Sequence, residues 1–156
     1  AFQSPTLLPW RTVGDHRGIL GVDAARFDAL RSALDLPATI LDRYPESLSG
    51  GMAKRVTVAL ACARPARMLL LDEPLSGIDQ QHRKRVVSTL RDTLRKQDRP
   101  VVIVSHDVPT AIGLSDRIVV FSGSPARIAV DIERDHAAGR WADPDHIART
   151  LAAALD

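Results

Sequence analysis

Two adjacent carboxylates, Asp72 and Glu73, follow a short apolar run from Met68 to Leu71. An uninterrupted run of this length predicts a strand that is buried on both faces of a parallel sheet. In open α/β sheets, ligands bind at the carboxyl ends of the strands. One carboxylate there could hold Mg²⁺ through water, and the other could polarise an attacking water molecule. A strand that simply ends in a solvated turn would have the same residues, so this pattern alone leaves both interpretations open.

A second group of residues combines a hydroxyl with paired glycines. Ser49, Gly50 and Gly51 directly precede the apolar periodicity that predicts a helix over residues 52–64. The N-terminus of a helix exposes free N–H groups and a partial positive charge. Glycines let a phosphate approach the backbone, and the serine adds a hydroxyl donor. Taken alone, an ordinary Ser-Gly helix cap is the simpler interpretation.

A third group is Ser105-His106-Asp107, which follows the apolar run from Val101 to Val104. That run predicts a second buried strand. A histidine at its end could donate a hydrogen bond to a phosphate oxygen or orient a water molecule. A histidine at a strand end is more often a structural residue, so this signal also needs support from its context.

The remaining elements complete an α/β pattern, in which strands alternate with helices. Prolines and glycines predict a loop, or a strand end running into loop, over residues 1–21. Further helices are predicted after Asp23, over residues 80–97, after Asp107 and after Asp143, and further strands over residues 117–121 and 127–132.

Composition excludes several classes of protein. The chain has 156 residues, of which 45% are hydrophobic and 26% are charged, so it is neither disordered nor fibrous. Its apolar runs fall well short of the roughly 18 residues that a membrane span needs. A net charge of +2 is too small to indicate a nucleic-acid partner. The single cysteine, Cys62, excludes an internal disulfide.

The order of these motifs resembles the ATP-binding cassette (ABC) ATPases. In that family LSGG, at residues 48–51, is the signature motif, and LLLDEP, at residues 69–74, is the Walker B strand with its glutamate. SGID, at residues 76–79, resembles the D-loop, and His106 resembles the switch histidine. Gln3 resembles the glutamine of the Q-loop, and the Leu-Leu-Pro-Trp stretch that ends at Trp10 is most like ATPases of nitrate, sulfonate and taurine importers.

This resemblance covers residues 1 to about 132 and implies a fold. We expect an α/β fold, a partial RecA-like P-loop NTPase core with a parallel sheet and flanking helices, plus a helical signature subdomain. The whole chain, 1–156, would be a partial ABC ATPase domain with four parts. These are the Q-loop and coupling segment (1–21), the helical subdomain (22–64), the core with Walker B, D-loop and switch histidine (65–132), and a helical tail (133–156).

The resemblance also implies ATP and Mg²⁺ as ligands and gives each residue a role. Glu73 would be the general base, and His106 would contact the γ-phosphate. Asp72 would hold Mg²⁺ through water, and Gln3 would sense the metal and the attacking water. Ser49, Gly50 and Gly51 would contact ATP held by a second subunit, and Asp79 would communicate across the dimer.

One motif of the family does not occur in this sequence. No glycine precedes a lysine, so the Gly-Lys-Ser/Thr of the P-loop, which cradles the phosphates, is absent. We therefore expect the 156-residue chain alone to be inactive. Met52 stands where a glutamine is common in the family.

The implied function is ATP hydrolysis that powers an importer for a small anionic nutrient of the nitrate, sulfonate or taurine type. Partners would be a second ATP-binding subunit, a permease docked on residues 4–18, and indirectly a periplasmic or lipoprotein substrate-binding protein, with no nucleic acid. The chain would lie peripherally at the cytoplasmic face of the inner membrane. In the other interpretation of the docking segment, Leu8 and Trp10 pack against the helical subdomain.

Two alternatives to the importer ATPase follow from the same residues. A cassette without its P-loop could serve as a non-catalytic interaction module that presents its signature face to an intact partner. An ABC ATPase of DNA repair or translation is a third possibility. Such proteins often carry long insertions between Q-loop and signature, whereas only the short span 4–46 separates the two motifs here.

Overall fold

The computed structural model describes residues 7–78, 80–97, 99–135, 141 and 143–155. The chain forms two compact units, Ala1–Val104 and Ser105–Asp156. Among the described residues, no helix has the length and apolar character needed to cross a membrane.

The described residues of the first unit form four α-helices, two short 3₁₀ helices and two strands. Its α-helices are α1 (Val13–Ile19), α2 (Ala24–Ala33), α3 (Gly50–Ala63) and α4 (Gln80–Arg95). The 3₁₀ helices span Ala38–Asp42 and Pro45–Ser47, and the strands are β1 (Leu69–Asp72) and β2 (Val101–Val104).

Helices α2 and α3 form where the sequence predicts them, after Asp23 and Ser49. The side chain of Asp23 accepts a hydrogen bond from the backbone N–H of Arg26 at 2.8 Å and so begins α2. Phe27 and Leu30 point from α2 into the core and are fully buried. Helix α3 packs against α2 and β1. Its inward face holds Val56, Ala59, Leu60 and Ala63.

Helix α1 corrects the expectation of a loop over residues 1–21. Thr12 and Asp15 form a capping box, in which each side chain accepts a hydrogen bond from the other residue's backbone N–H. The N–H of Thr12 lowers the pKa of the Asp15 carboxyl. His16 on this helix is buried; its Nε2 accepts from the N–H of Leu8, and its Nδ1 lies 2.7 Å from the carbonyl of Thr12. A single histidine thus ties the preceding segment to α1.

Strands β1 and β2 pair in parallel, with Leu69 opposite Val101 and Asp72 opposite Val104. Helix α4 lies between them in the sequence, as a parallel connection requires. The expected burial on both faces is wrong within the described residues. Leu69 and Leu71 are buried, but Leu70 is 59% exposed and Val104 is 60% exposed. The described helices therefore cover only one face of this two-stranded sheet.

The second unit packs two helices against a hairpin. Its described elements are α5 (Val108–Leu114), β3 (Arg117–Ser122), β4 (Arg127–Glu133) and α6 (Pro144–Leu155). Strands β3 and β4 are antiparallel, which suits the short turn between them. Trp141 is the aromatic anchor of this unit. It is buried with Ile118 and Val120, and its indole N–H donates to the carbonyl of Ile112 at 2.8 Å.

Candidate functional site

Asp72 and Glu73 lie together where the parallel strands end. Asp72 is the last residue of β1, and the backbone N–H of Glu73 donates to the carbonyl of Val104 at 2.9 Å. This bond continues the sheet ladder by one residue and brings both carboxylates to the carboxyl end of β2 as well. Both residues are half-buried. The expected placement of these two carboxylates is therefore confirmed.

The backbone of Glu73 is strained. Its φ is +44°, in the left-handed region that costs a non-glycine residue about 1–2 kcal/mol. The turn that follows is held by two backbone hydrogen bonds, from the N–H of Ser76 to the carbonyl of Glu73 and from that of Ile78 to Leu75. Gly77, with φ of +78°, supplies the second left-handed position. Strain of this kind persists where the surroundings fix the backbone, and it is concentrated at functional sites.

The signature residues form the N-terminus of α3. Ser49 is the N-cap, and its hydroxyl accepts from the N–H of Met52 at 3.3 Å. Gly50 and Gly51 are the first helical residues and are exposed. Apart from its chain neighbours and the nearby backbone of its own helix, a Cβ placed on either glycine meets no described atom within 4 Å, and neither glycine has a positive φ.

These glycines are therefore not needed by the helix itself. Glycine in a helix is less stable than alanine by about 1 kcal/mol, so two exposed glycines carry a cost without a benefit inside the described chain. What they provide is an unobstructed approach to the backbone N–H groups of the first turn. Such an approach suits an anion such as a phosphate.

His106 is exposed and belongs to the second unit, two residues beyond β2. The element after it is well defined. The carboxylate of Asp107 accepts from the N–H of Thr110 at 2.9 Å and caps α5, as the sequence predicts. The structure thus places His106 just ahead of a capped helix. The carboxylates and the signature residues lie in the first unit.

The remaining predicted site residues, Gln3 and Asp79, lie outside the described residues. Within the described part, no group of three or more His, Cys, Asp or Glu side chains is arranged to hold a metal ion. Among the described residues, Asp72 is the candidate ligand for Mg²⁺, which binds oxygen ligands and usually keeps several waters.

One contact of the site is not predicted by any sequence motif. The ammonium of Lys54, one turn into α3 from the signature glycines, donates to the hydroxyl of Ser76. Ser76 belongs to the turn that begins with the strained Glu73. Because Lys54 and Ser76 are 22 positions apart, no local pattern could reveal the pair.

The segment expected to dock a permease is exposed at its tryptophan. Trp10 is 69% exposed, and it lines a shallow recess with Pro9, Tyr44 and Glu46. Leu8 is also exposed, at 37%. The alternative that Trp10 packs into the helical subdomain is therefore wrong.

Comparison with known proteins agrees with these motifs. Residues 1–76 match the family model described as ABC transporter. The chain is 34% identical over 142 residues to the aliphatic sulfonates import ATP-binding protein SsuB 2 of Burkholderia cenocepacia, covering 89% of this chain and 53% of that protein. It is 36% identical over 162 residues to SsuB 1 of Mesorhizobium japonicum, covering 99% of this chain and 60% of that protein.

A solved structure supports the fold. The structure of an ATP-binding subunit of an ABC transporter superposes with a TM-score of 0.69 at 20% identity, covering 97% of this chain and 66% of that one.

The fold and the ordered motifs define part of an ATP-binding cassette, with a partial P-loop NTPase fold. Within that class, residues 1–76 match the ABC transporter family, and the chain as a whole is similar to the group of ATP-binding subunits that includes the aliphatic sulfonate importers. The chain spans about half the length of the curated relatives it matches.

Proposed function

We propose that this chain provides the Walker B, signature and D-loop parts of an ATPase subunit that powers import of a small sulfonate-like anion. The observation that carries the proposal is the pair of half-buried carboxylates at the end of β1, in the same unit as an open, glycine-lined helix N-terminus. The similarity to aliphatic sulfonate import proteins supports the substrate class.

The residues present fit a magnesium nucleotide. Asp72 offers a hard oxygen ligand of the kind that Mg²⁺ prefers. When bound, Mg²⁺ neutralises negative charge on the β- and γ-phosphates. Asp72 would hold it through water, and Gln3 would sense the metal and the attacking water. His106 would donate to the γ-phosphate.

Glu73 would accept the proton of the attacking water. Its strained backbone and the bond from its N–H to Val104 fix the start of the carboxylate side chain. Phosphoryl transfer depends mainly on positioning and charge stabilisation. A base that is held in position would therefore favour the reaction even though holding it strains the backbone locally. Ser49, Gly50 and Gly51 would bind ATP held by a second subunit, with Asp79 communicating between the two.

The exposed Trp10 supports a second part of the proposal, docking to a permease. An exposed tryptophan beside an exposed tyrosine is costly for an isolated domain, and such patches mark interaction sites. In this arrangement, residues 4–18 would contact the permease, and the chain would lie peripherally at the inner face of the membrane. The substrate-binding protein would act only through that permease.

The decisive experiment replaces Glu73 by glutamine in a chain extended to carry a P-loop segment. Glu73→Gln should lower ATP turnover at least about 100-fold, because the amide keeps the shape but cannot take a proton. ATP binding, measured by equilibrium dialysis with Mg²⁺, should remain. Glu133→Gln is the control, since Glu133 is exposed and only 3.6 Å from Arg117 in a surface pair. Turnover within threefold of the unmodified protein in Glu73→Gln would refute the assignment of the base.

The docking surface is tested separately. Trp10→Ala should reduce co-purification with the permease while changing the free energy of unfolding by less than about 0.5 kcal/mol, because the side chain is exposed. Ile19→Ala is the matched control, since Ile19 is 58% exposed just beyond the segment. A large loss of stability with normal permease recovery would show that Trp10 has a structural role.

A further inference from the structure

Lys54 joins two segments to which the proposed function gives separate tasks. It lies on α3, one turn beyond Gly51, and its ammonium donates to the hydroxyl of Ser76. Both side chains are half-buried. Burial of a lysine restricts a flexible, strongly hydrated side chain, so this contact is more than an incidental surface approach.

Three contacts among the described residues anchor the turn that contains Ser76. At its start, the N–H of Glu73 donates to the carbonyl of Val104 on β2. At its end, the guanidinium of Arg83 on α4 donates to the carbonyl of Ile78 at 3.0 Å. Lys54 supplies the anchor in the middle and is the one that comes from α3. The strained backbone of Glu73 persists only because its surroundings hold it, so each anchor helps to fix the backbone position from which the carboxylate side chain extends.

Helix α3 can transmit a displacement between these points. It is a single helix of 14 residues, and its last turn is also tied to the rest of the unit by side chains from residues 97 and 99. A ligand seated on the N–H groups of Gly50 and Gly51 would lie one helical turn from the Lys54 side chain. A shift at that end of the helix would therefore reach Ser76 and the turn of Glu73 through one charge-assisted hydrogen bond.

We propose that Lys54 is a positioning residue that couples the signature helix to the turn bearing Glu73. This inference rests on the proposed function, because it assigns the two segments to nucleotide binding and to proton transfer. In this arrangement, each subunit contributes its signature residues to one ATP site and its Glu73 to the other. Nucleotide bound at the signature residues of one subunit therefore also sets the position of Glu73 in that same subunit. The pair would thus link the two sites within one chain.

The test uses three variants in a chain extended to carry a P-loop segment. Lys54→Met keeps the length of the side chain but removes the donor, Lys54→Arg keeps a donor, and Ser76→Ala removes the acceptor. Lys54→Met and Ser76→Ala should each lower kcat about tenfold with KM for ATP unchanged, and the double variant should be no worse than either. Lys54→Arg should recover most of the rate. The proposal would be overturned if the double variant lost kcat by the product of the two single losses. It would also be overturned if Lys54→Arg lowered kcat as much as Lys54→Met does.

A second measurement separates this inference from the proposed function. Amide hydrogen exchange on the 156-residue chain itself monitors the N–H groups of Ser76 and Ile78, which are bonded within the turn. Lys54→Met should accelerate their exchange at least about threefold, while Lys84→Met, at an exposed lysine of α4, should not. Unchanged exchange would refute the anchor regardless of any ATPase result. Faster exchange with an unchanged kcat would refute the coupling, while the Glu73→Gln experiment would still decide the proposed function.

Discussion

The two ends of helix α3 differ in how the rest of the chain bonds their backbone groups. At the N-terminus, Ser49 provides a single cap, and Gly50 and Gly51 stand in open space. At the C-terminus, side chains from a later part of the chain donate hydrogen bonds to backbone carbonyls. Gln97 and Arg99 both donate to the carbonyl of Cys62, and Arg99 also donates to that of Arg64.

This difference separates an end that the chain itself closes from the end that we propose binds a ligand. Every helix leaves N–H groups at its start and carbonyls at its close without partners inside the helix. Where the protein supplies those partners itself, the end is fixed and closed to ligands. Where it keeps the approach clear at the expense of helix stability, the backbone remains available to another molecule. The closed end of α3 thus holds the helix in place, and the open end presents its N–H groups.

The strongest test of the closed end is the reactivity of Cys62. Its side chain is fully buried, and burial raises the pKa of the thiol from 9.0 to about 12. Because the thiolate is the reactive form, we expect alkylation by iodoacetamide at pH 8 to be about 1,000-fold slower than in the urea-unfolded chain. Mass spectrometry measures the rate. Comparable rates in the two states would show that this end of α3 opens readily.

The same shift in pKa gives a pH dependence. The unfolded chain releases the thiol proton near pH 9, whereas the folded chain keeps it until about pH 12. The contribution of Cys62 to the free energy of unfolding is therefore complete below pH 9 and is lost as pH rises toward 12. Cys62→Ala, which cannot titrate, should remove this part of the alkaline destabilisation in urea melts.

An intermediate effect is expected from opening the closed end. Arg99→Met keeps most of the length of the side chain but leaves the carbonyls of Cys62 and Arg64 without their guanidinium donors. The free energy of unfolding should fall by about 1–3 kcal/mol. Arg67→Met, at an exposed arginine in the loop before β1, should change it by less than about 0.5 kcal/mol. Equal effects of the two substitutions would remove the distinction between the ends.

The smallest change in stability is expected at the open end, and its sign is opposite. Gly51→Ala introduces a methyl group into free space and should raise the free energy of unfolding by about 0.5–1 kcal/mol. Gly18→Ala, at another helical glycine with no described atom within reach, should stabilise the chain similarly. In an extended chain with a P-loop segment, Gly51→Ala should lower ATP turnover despite this gain. A stabilised and fully active variant would show that no ligand approaches this backbone.

Much of the fold is predictable because its signals are local. Asp23, Ser49, Asp107 and Asp143 each precede a helix and cap it as expected. Helix α1 escapes prediction because Gly14 and Gly18 lower its intrinsic propensity. The reason for Gly14 is tertiary, since a Cβ there would lie 3.1 Å from the carbonyl of Leu41. The spacing from Thr12 to Asp15 is the one local signal that could have revealed this helix.

In the candidate site too, features with a local signal in the sequence are predictable, and features that depend on tertiary packing are not. A strand that ends in Asp72 and Glu73 is visible in the sequence, because hydrophobicity and charge change at one position. The left-handed backbone of Glu73 is not, since nothing in a glutamate favours a φ of +44°. The bond from Lys54 to Ser76 is equally invisible, because it depends on how α3 packs beside β1.

The parallel pairing of β1 with β2 also fixes an order of assembly. In the hairpin, Ser122 pairs with Arg127, so that contact closes a short loop soon after both residues leave the ribosome. Leu69 can pair with Val101 only after Val101 and the whole of α4 between them have been synthesised. Non-local pairings of this kind form slowly. The N–H of Glu73 needs the carbonyl of Val104, the last residue of the second strand. The acidic pair is therefore synthesised before β2 but acquires its final geometry only after that strand has docked.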